Sequence, residues 1–127
     1  REAVKIKLGL SNELKLGNLE SSRDWGHAKD YVEAMWLMLQ QDSPDDFVCS
    51  TGVSHTVKDL VKYVFTKLDL NWEKYVAIDK RFYRSEELKH LKGDCSKAKS
   101  HLLWKPKYTF ESMLDEMIEY WINKLNN

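Results

Sequence analysis

The residues with the clearest chemical potential in this chain lie between a short alternating apolar segment and the start of a helix. Leu16-Gly17-Asn18-Leu19 is followed closely by Arg23-Asp24-Trp25-Gly26-His27-Ala28-Lys29-Asp30-Tyr31. Backbone amides of a turn and the planar guanidinium of an arginine both bind phosphate oxygens well. Because a strand end, a turn and Arg23 fall so close together, the stretch predicts a site for a phosphate-bearing ligand. In the alternative interpretation, Arg23 and Asp24 only tie a loop to the helix.

A second candidate, Arg84 with Glu87, lies on a loop that follows a predicted strand. An arginine binds a diphosphate through two parallel hydrogen bonds, and a carboxylate accepts hydrogen bonds from ribose hydroxyls. The alternative is a solvated run of charges, which the spacing by itself favours. That run comprises Lys80, Arg81, Arg84, Glu86, Glu87 and Lys89.

Four further residues are predicted to have structural roles. Asp30 falls in the first turn of a predicted helix, where a carboxylate complements the helix dipole. His27 beside it is expected to pack and not to bind a ligand. Tyr63 and Lys67 have the Tyr-x-x-x-Lys spacing of a dehydrogenase catalytic pair, but they fall on the flank of a helix and no glycine-rich loop precedes them. They are therefore not expected to be catalytic.

The composition predicts one globular domain and argues against several classes of partner. The chain has 127 residues, 43% of them hydrophobic, and its 20 Lys and Arg residues equal its 20 Asp and Glu residues. A duplex nucleic-acid binder typically has a basic surplus, so no nucleic-acid partner is predicted. No apolar run approaches about 18 residues, so no membrane span is predicted. The histidines and the two cysteines show no short ligand spacing, which predicts no metal site and a reducing, cytoplasmic location.

The elements that must position these residues alternate between strands and helices, which predicts an α/β fold. Leu14–Leu16 reads as a strand. A helix from about His27 to Gln41 has an apolar stripe so wide that burial on more than one side is expected. Phe47-Val48-Cys49 reads as a strand buried on both faces, as in a parallel sheet. Such a strand needs neighbours from an amino-terminal part or from another chain.

The second half of the chain continues the alternation. Thr56 is a predicted N-cap with Asp59 three residues later, and the helix it begins has apolar positions through Leu68. Tyr75–Ile78 reads as a strand, and Thr109 is predicted to cap the last helix. The chain starts at an arginine inside a predicted helix that ends near Gly9, so it is expected to be the carboxy-terminal piece of a longer protein.

Several motifs taken together resemble one family over essentially the whole chain. The chain is similar to the GDP-mannose 4,6-dehydratases, which are extended short-chain dehydrogenase/reductases acting on a nucleotide sugar. The segments that carry the resemblance are Leu16-Gly17-Asn18-Leu19, Arg23 through Trp36, Asp46-Phe47-Val48, Thr51-Gly52, Arg81-Phe82-Tyr83-Arg84, Gly93 through Ala98, and Trp104-Lys105-Pro106.

The resemblance implies a reaction and a set of binding residues. In the family, NADP oxidises the sugar at C4, water is lost across C5 and C6, and a hydride returns to C6, which gives GDP-4-keto-6-deoxymannose. By matching position, Gly17 and Asn18 are expected along the guanine, Arg23 near the nucleotide or phosphates, Arg84 on the diphosphate and Glu87 on the ribose hydroxyls.

The resemblance also implies what residues 1–127 form: a single lobe that binds GDP-mannose, the carboxy-terminal lobe of the family's fold. One strand and one helix of it are expected to belong to the Rossmann sheet of a missing amino-terminal domain. That domain is expected to bind the NADP, so no cofactor is expected on these residues, and a homo-oligomer is expected for the parent enzyme.

The chain departs from the family pattern in two ways. The family's glycine-rich dinucleotide loop and its catalytic Thr, Glu, Tyr and Lys would lie upstream of Arg1, so no turnover is expected from these residues alone. Ser85 and Glu86 stand where the family has Pro and usually Thr, and losing the Pro loosens the backbone beside Arg84. Two alternatives remain open: another nucleotide-sugar epimerase or reductase of the superfamily, or a non-catalytic interaction module.

Overall fold

The secondary structure is a mixture of helices and short strands, as the α/β pattern predicts. A computed structural model describes residues 1–83 and 88–126. The elements in these ranges are α1 (Glu2–Lys7), β1 (Leu14–Leu16), β2 (Ser22–Arg23), α2 (Ala28–Leu39), β3 (His55–Thr56), α3 (Val57–Lys67), a 3-10 turn (Trp72–Lys74), β4 (Val76–Ile78), a second 3-10 turn (Lys80–Phe82), α4 (Ser96–His101) and α5 (Phe110–Asn126).

Two separate pairs of strands organise the described residues. β1 and β4 pair in parallel, with Leu14 opposite Val76 and Leu16 opposite Ile78. β2 and β3 pair antiparallel through two residues each. The strands predicted at Leu14–Leu16 and within Tyr75–Ile78 are therefore confirmed. Because they are parallel, their carboxyl ends lie at the same edge, where α/β folds usually bind ligands.

The first hydrophobic core lies where α1, α3 and α5 come together. Thr56 begins α3 with a capping box: its hydroxyl accepts a hydrogen bond from the Asp59 amide at 3.0 Å, and the Asp59 carboxylate accepts one from the Thr56 amide at 2.9 Å. The predicted N-cap is thus confirmed. The buried residues of this core are Ala3, Val4, Ile6, Val61, Phe65 and Leu68.

The second core lies between α2 and the segment around α4. The Trp104 ring is 2% exposed, and its indole N–H donates to the backbone carbonyl of Asp30 in α2 at 2.9 Å. This bond satisfies the one polar atom of a buried ring, so the tryptophan can fill the core without an unpaired donor. The buried residues here are Ala34, Cys95, Ala98, Leu102 and Trp104.

The prediction that α2 is buried on more than one side is wrong. Val32, Met35, Trp36 and Leu39 are 59 to 82% exposed. Only the side of α2 that carries Ala34 packs against the second core. The apolar stripe predicts the helix correctly, but it is wider than the surface that the described residues supply to cover it.

The prediction of a strand at Phe47-Val48-Cys49 is also wrong, because these residues form no regular secondary structure. Phe47 and Cys49 are half-buried and pack against the second core, while Val48 between them is 55% exposed. The apolar side chains at both ends of the run are satisfied by packing alone. No strand among residues 1–83 and 88–126 pairs with this segment.

A single carboxylate holds together three segments that are far apart in sequence. Asp24 Oδ1 accepts hydrogen bonds from the Thr51 amide at 2.9 Å and from the Thr51 hydroxyl at 2.5 Å. Asp24 Oδ2 accepts from the amides of Gly52 at 2.9 Å and Gly93 at 3.2 Å. Asp24 therefore has a structural role, but it ties two distant loops together and not a loop to a helix. A Cβ atom at Gly93 would lie 2.4 Å from the Cβ of Ser50, so only glycine fits that close approach.

The hydrogen bonds at Asp24 also control its ionisation. Partial burial raises the pKa of Asp24, but the bonds from Thr51, Gly93 and Gly52 together outweigh burial and hold its pKa below the usual value. A carboxyl whose pKa is depressed by folding contributes stability above its unfolded pKa of about 3.9. That contribution is lost as the pH falls through the folded pKa.

We expect Asp24→Asn to lower the free energy of unfolding at pH 7 by about 1.5–3 kcal/mol, the range for hydrogen bonds to charged groups. The amide places N–H donors where the carboxylate oxygen accepts backbone N–H groups. Urea unfolding followed by circular dichroism between pH 7 and pH 3 measures the change. The variant should also lose less stability on acidification than the wild type. Asp42→Asn, at an exposed position, is the matched control, and equal acid profiles for the wild type and Asp24→Asn would contradict the role of Asp24.

Candidate functional site

A hollow of about 310 Å³ opens at the carboxyl end of β1, beside β2. Gly17, Asn18 and Arg23, which are the three predicted site residues within the described ranges, all line it. The structure therefore brings together residues that the sequence placed on a turn and on a strand end. The remaining lining residues are Leu16, Ser21, Val57 and Phe82.

Gly17 has a packing reason to be glycine. A Cβ atom at this position would lie 2.9 Å from the Phe82 carbonyl oxygen and 3.1 Å from the Phe82 Cβ. The absence of a side chain lets the second 3-10 turn, Lys80–Phe82, approach the end of β1. Asn18 shapes the same turn, because its side-chain oxygen accepts a hydrogen bond from the Glu20 amide at 3.0 Å.

Arg23 binds backbone carbonyls as well as lining the hollow. Its Nη1 donates to the Ser22 carbonyl and to the Leu88 carbonyl, each at 2.7 Å. Neighbouring backbone bonds reinforce this contact: the Ser22 amide donates to the Lys89 carbonyl at 2.9 Å, and the Leu91 amide donates to the Ser22 carbonyl at 3.1 Å. β2 and Arg23 thus fix the segment that begins at residue 88 against the hollow.

The two other predicted site residues, Arg84 and Glu87, lie outside the described residues. Their expected roles on a diphosphate and a ribose therefore stay predictions. The described residues that flank them do reach the site: Phe82 lines the hollow, and the Leu88 carbonyl is hydrogen-bonded to Arg23.

His27 and Asp30 have structural roles, as expected. His27 is the N-cap of α2, where its Nδ1 accepts a hydrogen bond from the Lys29 amide at 3.0 Å, and its ring stacks on Tyr108 with centroids 4.0 Å apart. Asp30 is 2% exposed, and its carboxylate accepts backbone hydrogen bonds from Lys107 and Tyr108 at 3.1 Å each. The sequence indicates only its place in the first turn, because such tertiary partners leave no local pattern.

Tyr63 and Lys67 join two helices. The Tyr63 hydroxyl donates to Asp115 Oδ1 at 2.8 Å, and Lys67 Nζ donates to Asp115 Oδ2 at 3.0 Å, which links α3 to α5. Desolvation and the bond to Asp115 raise the pKa of Tyr63. One carboxylate thus binds both polar side chains of the pair, which gives Tyr63 and Lys67 a structural role between α3 and α5.

The described residues offer no other obvious chemical centre. Within residues 1–83 and 88–126, no three His, Cys, Asp or Glu side chains are grouped so that they could hold a metal ion. Across the same ranges, every helix is too short or too polar to cross a bilayer. Cys49 and Cys95 are free thiols, and burial raises the pKa of Cys49, which disfavours a reactive thiolate.

Four residues that line the hollow were not predicted as site residues from the sequence: Leu16, Ser21, Val57 and Phe82. Val57 follows the Thr56 N-cap and reads as an ordinary core position of α3. Phe82 lies in an aromatic, charged loop, in which the arginines are the more evident candidates for ligand binding. The one available signal is that Phe82 is a large apolar residue in a polar loop directly after a strand.

The comparisons with a family model and with curated proteins agree on one family. The model of the GDP-mannose 4,6 dehydratase family matches residues 1–117. GDP-mannose 4,6 dehydratase 1 of Arabidopsis thaliana is 55% identical over 119 residues, which cover 94% of this chain and 33% of that protein. The human GDP-mannose 4,6 dehydratase is 44% identical over 135 residues, covering 93% of this chain and 36% of that protein. The chain spans about a third of the length of these curated relatives.

Two solved structures of nicotinamide-bound proteins share this fold. RMD from Pseudomonas aeruginosa complexed with NADPH superposes with a TM-score of 0.86 at 19% identity, over 97% of this chain and 40% of that chain. The dTDP-glucose 4,6-dehydratase of Bacillus anthracis in complex with NAD gives a TM-score of 0.82 at 20% identity, over 98% of this chain and 39% of that chain. These likenesses confirm the predicted fold class, the carboxy-terminal part of an extended short-chain dehydrogenase/reductase. Together with the family match, they show that this chain belongs to the GDP-mannose 4,6-dehydratase family.

Proposed function

We propose that residues 1–127 form the nucleotide-sugar-binding lobe of a GDP-mannose 4,6-dehydratase, which converts GDP-mannose to GDP-4-keto-6-deoxymannose and water. The observation that supports this most directly is the convergence of Gly17, Asn18 and Arg23 on one hollow at the carboxyl end of β1. Family membership gives the substrate class, since the relatives are named for GDP-mannose.

In this proposal the lobe binds and orients the nucleotide. The turn at Gly17 and Asn18 offers amide and backbone groups to the guanine edges. Arg23 offers a guanidinium to the phosphates, with Arg84 and Glu87 expected on the diphosphate and the ribose. An arginine suits this position because its planar fork can hold a backbone carbonyl and a phosphate oxygen at the same time.

The turn after β1 does not fit the nicotinamide cofactor that the family implies. The turn after β1 has Gly17 alone, without the Gly-x-Gly-x-x-Gly pattern that cradles a dinucleotide. The open side of Gly17 is filled by the backbone of Phe82, so a pyrophosphate cannot use it. We therefore assign NADP binding, and the redox chemistry it supplies, to the portion of the enzyme that this chain does not span.

The exposed face of α2 is proposed to pack against that other portion. Val32, Met35, Trp36 and Leu39 form a contiguous apolar stripe at helical spacing. Contiguous apolar surface of this kind commonly marks an interaction site. The family relatives are about three times as long as this chain, so a domain is available to cover the stripe. The expected homo-oligomer of the parent enzyme remains a separate proposal.

The proposed function predicts a nucleotide preference. In calorimetric titration, the chain should bind GDP more tightly than UDP or dTDP. Arg23→Ala and Arg84→Ala should each weaken GDP binding about 10- to 100-fold, because each removes charge-assisted hydrogen bonds to phosphate. Arg1→Ala, at an arginine that lines a different hollow, is the matched control and should leave the affinity unchanged.

Two outcomes of that titration would redirect the assignment. Tighter binding of UDP or dTDP than of GDP would favour another nucleotide-sugar epimerase or reductase. GDP affinity that is absent, or unaffected by Arg84→Ala, would favour a non-catalytic interaction module.

A further prediction concerns catalysis. We expect no turnover of GDP-mannose by the purified chain with added NADP, because the Tyr63 and Lys67 pair is engaged by Asp115 and no dinucleotide loop is present. Chromatographic detection of the 4-keto-6-deoxy product is the measurement. The intact Arabidopsis relative serves as the positive control, and product formed by the chain alone would contradict the proposal.

Another prediction concerns the α2 stripe. Trp36→Glu should abolish most co-purification of this chain with the part of the Arabidopsis relative that it does not match, expressed alongside it. A charged side chain at a buried apolar contact is left without a partner. Tyr120→Glu, at an exposed aromatic on α5, is the matched control. Equal co-purification of both variants and the wild type would exclude the stripe as the docking face.

A further inference from the structure

We infer that Phe82 is the residue on which the nucleobase stacks, an inference that rests on the proposed nucleotide-binding function. Phe82 is the aromatic residue among those that line the hollow at the end of β1. It is nonetheless 58% exposed, although the described residues contain two hydrophobic cores in which such a ring could be buried. An aromatic ring kept at the surface of a concave site is available to a planar ligand.

The position of Phe82 is fixed by the parallel strands. The Asp79 amide donates to the Leu16 carbonyl at 2.8 Å, which extends the β1–β4 pairing by one residue. Asp79 then caps the 3-10 turn, since its carboxylate accepts from the Arg81 amide at 3.0 Å and its carbonyl accepts from the Phe82 amide at 3.1 Å. The Arg81 guanidinium holds the same carboxylate at 2.6 Å.

Gly17, which directly follows β1, contacts Phe82 from the other side. The carbonyl oxygen of Phe82 lies where it would be 2.9 Å from a Cβ at position 17, so the two backbones are in close contact. With Asp79 on one side and Gly17 on the other, the backbone of Phe82 has little freedom. A site that is organised before binding loses less affinity to ordering when the ligand arrives.

The polar groups beside Phe82 match a base that carries phosphates. Asn18 and Arg23 line the same hollow, and Arg23 supplies positive charge to it. Stacking uses the face of the base, which every nucleobase has, so it does not discriminate between bases. Phe82 should therefore contribute affinity for GDP and UDP alike, while any preference for guanine comes from the polar groups.

The test compares ligands with and without a base. By calorimetric titration of the chain, Phe82→Ala and Phe82→Leu should each weaken binding of both GDP and UDP about 5- to 150-fold, the range for stacking on one aromatic ring. Neither variant should change the affinity for inorganic pyrophosphate, which has no base. Phe82→Trp, which keeps an aromatic face, should retain most of the GDP affinity. Tyr83→Ala, at the neighbouring exposed aromatic, is the matched control.

The outcomes separate this inference from the proposed function. A wild-type chain that does not bind GDP overturns both. A wild-type chain that binds GDP, with Phe82→Ala and Phe82→Leu equal to it, overturns the stacking role alone. An equal loss for GDP and pyrophosphate also overturns it, because that loss would reflect the shape of the hollow. Circular dichroism of each variant verifies its fold, and Phe82→Leu preserves apolar bulk if Phe82→Ala is unstable.

Discussion

The carboxylate of Asp24 is the interaction on which the loops around the candidate site depend. It accepts hydrogen bonds from two separate segments, at residues 51–52 and at residue 93, with three backbone amides and one hydroxyl as donors. Bonds to an ionised acceptor are stronger than neutral ones, and partial burial protects them from competition with water. Arg23, the preceding residue, holds the Leu88 carbonyl in turn. Two adjacent side chains of opposite charge therefore organise the segments on both sides of β2.

This arrangement joins two interpretations that the sequence left as alternatives. Asp24 ties loops together, while Arg23 both ties a loop and lines the hollow. Both carbonyl bonds of Arg23 use Nη1, which is one of the three nitrogens of a guanidinium with five N–H donors. The donors of a lysine all lie on one ammonium nitrogen, so they lack the planar, spread arrangement with which a guanidinium holds a carbonyl on one nitrogen and leaves others for an anion. The side chain can thus be structural and ligand-binding at once.

The parts of the fold that the sequence predicted are those specified by local chemistry. The capping box of Thr56 and Asp59 and the strand Leu14–Leu16 depend on neighbours a few residues away. The errors at α2 and at Phe47-Val48-Cys49 share a different cause. An apolar pattern shows that a surface is to be covered, but it does not show whether the cover comes from the same chain. Of the candidate site, Gly17, Asn18 and Arg23 were predicted from turn and strand signals. Phe82 was missed because its contact with Gly17 spans 65 positions, and such a contact has no local signature.

The long separation between Gly17 and Phe82 follows from the parallel pairing of β1 and β4. Parallel strands require a long crossover connection, which here contains α2, β3 and α3. The crossover brings β2 and β3, and with them Arg23, next to the edge where β1 and β4 end. One strand pair therefore supplies the aromatic and glycine side of the hollow, and the other supplies the arginine. The topology of this lobe thus brings an exposed aromatic ring and a guanidinium, which come from different strand pairs, to one hollow.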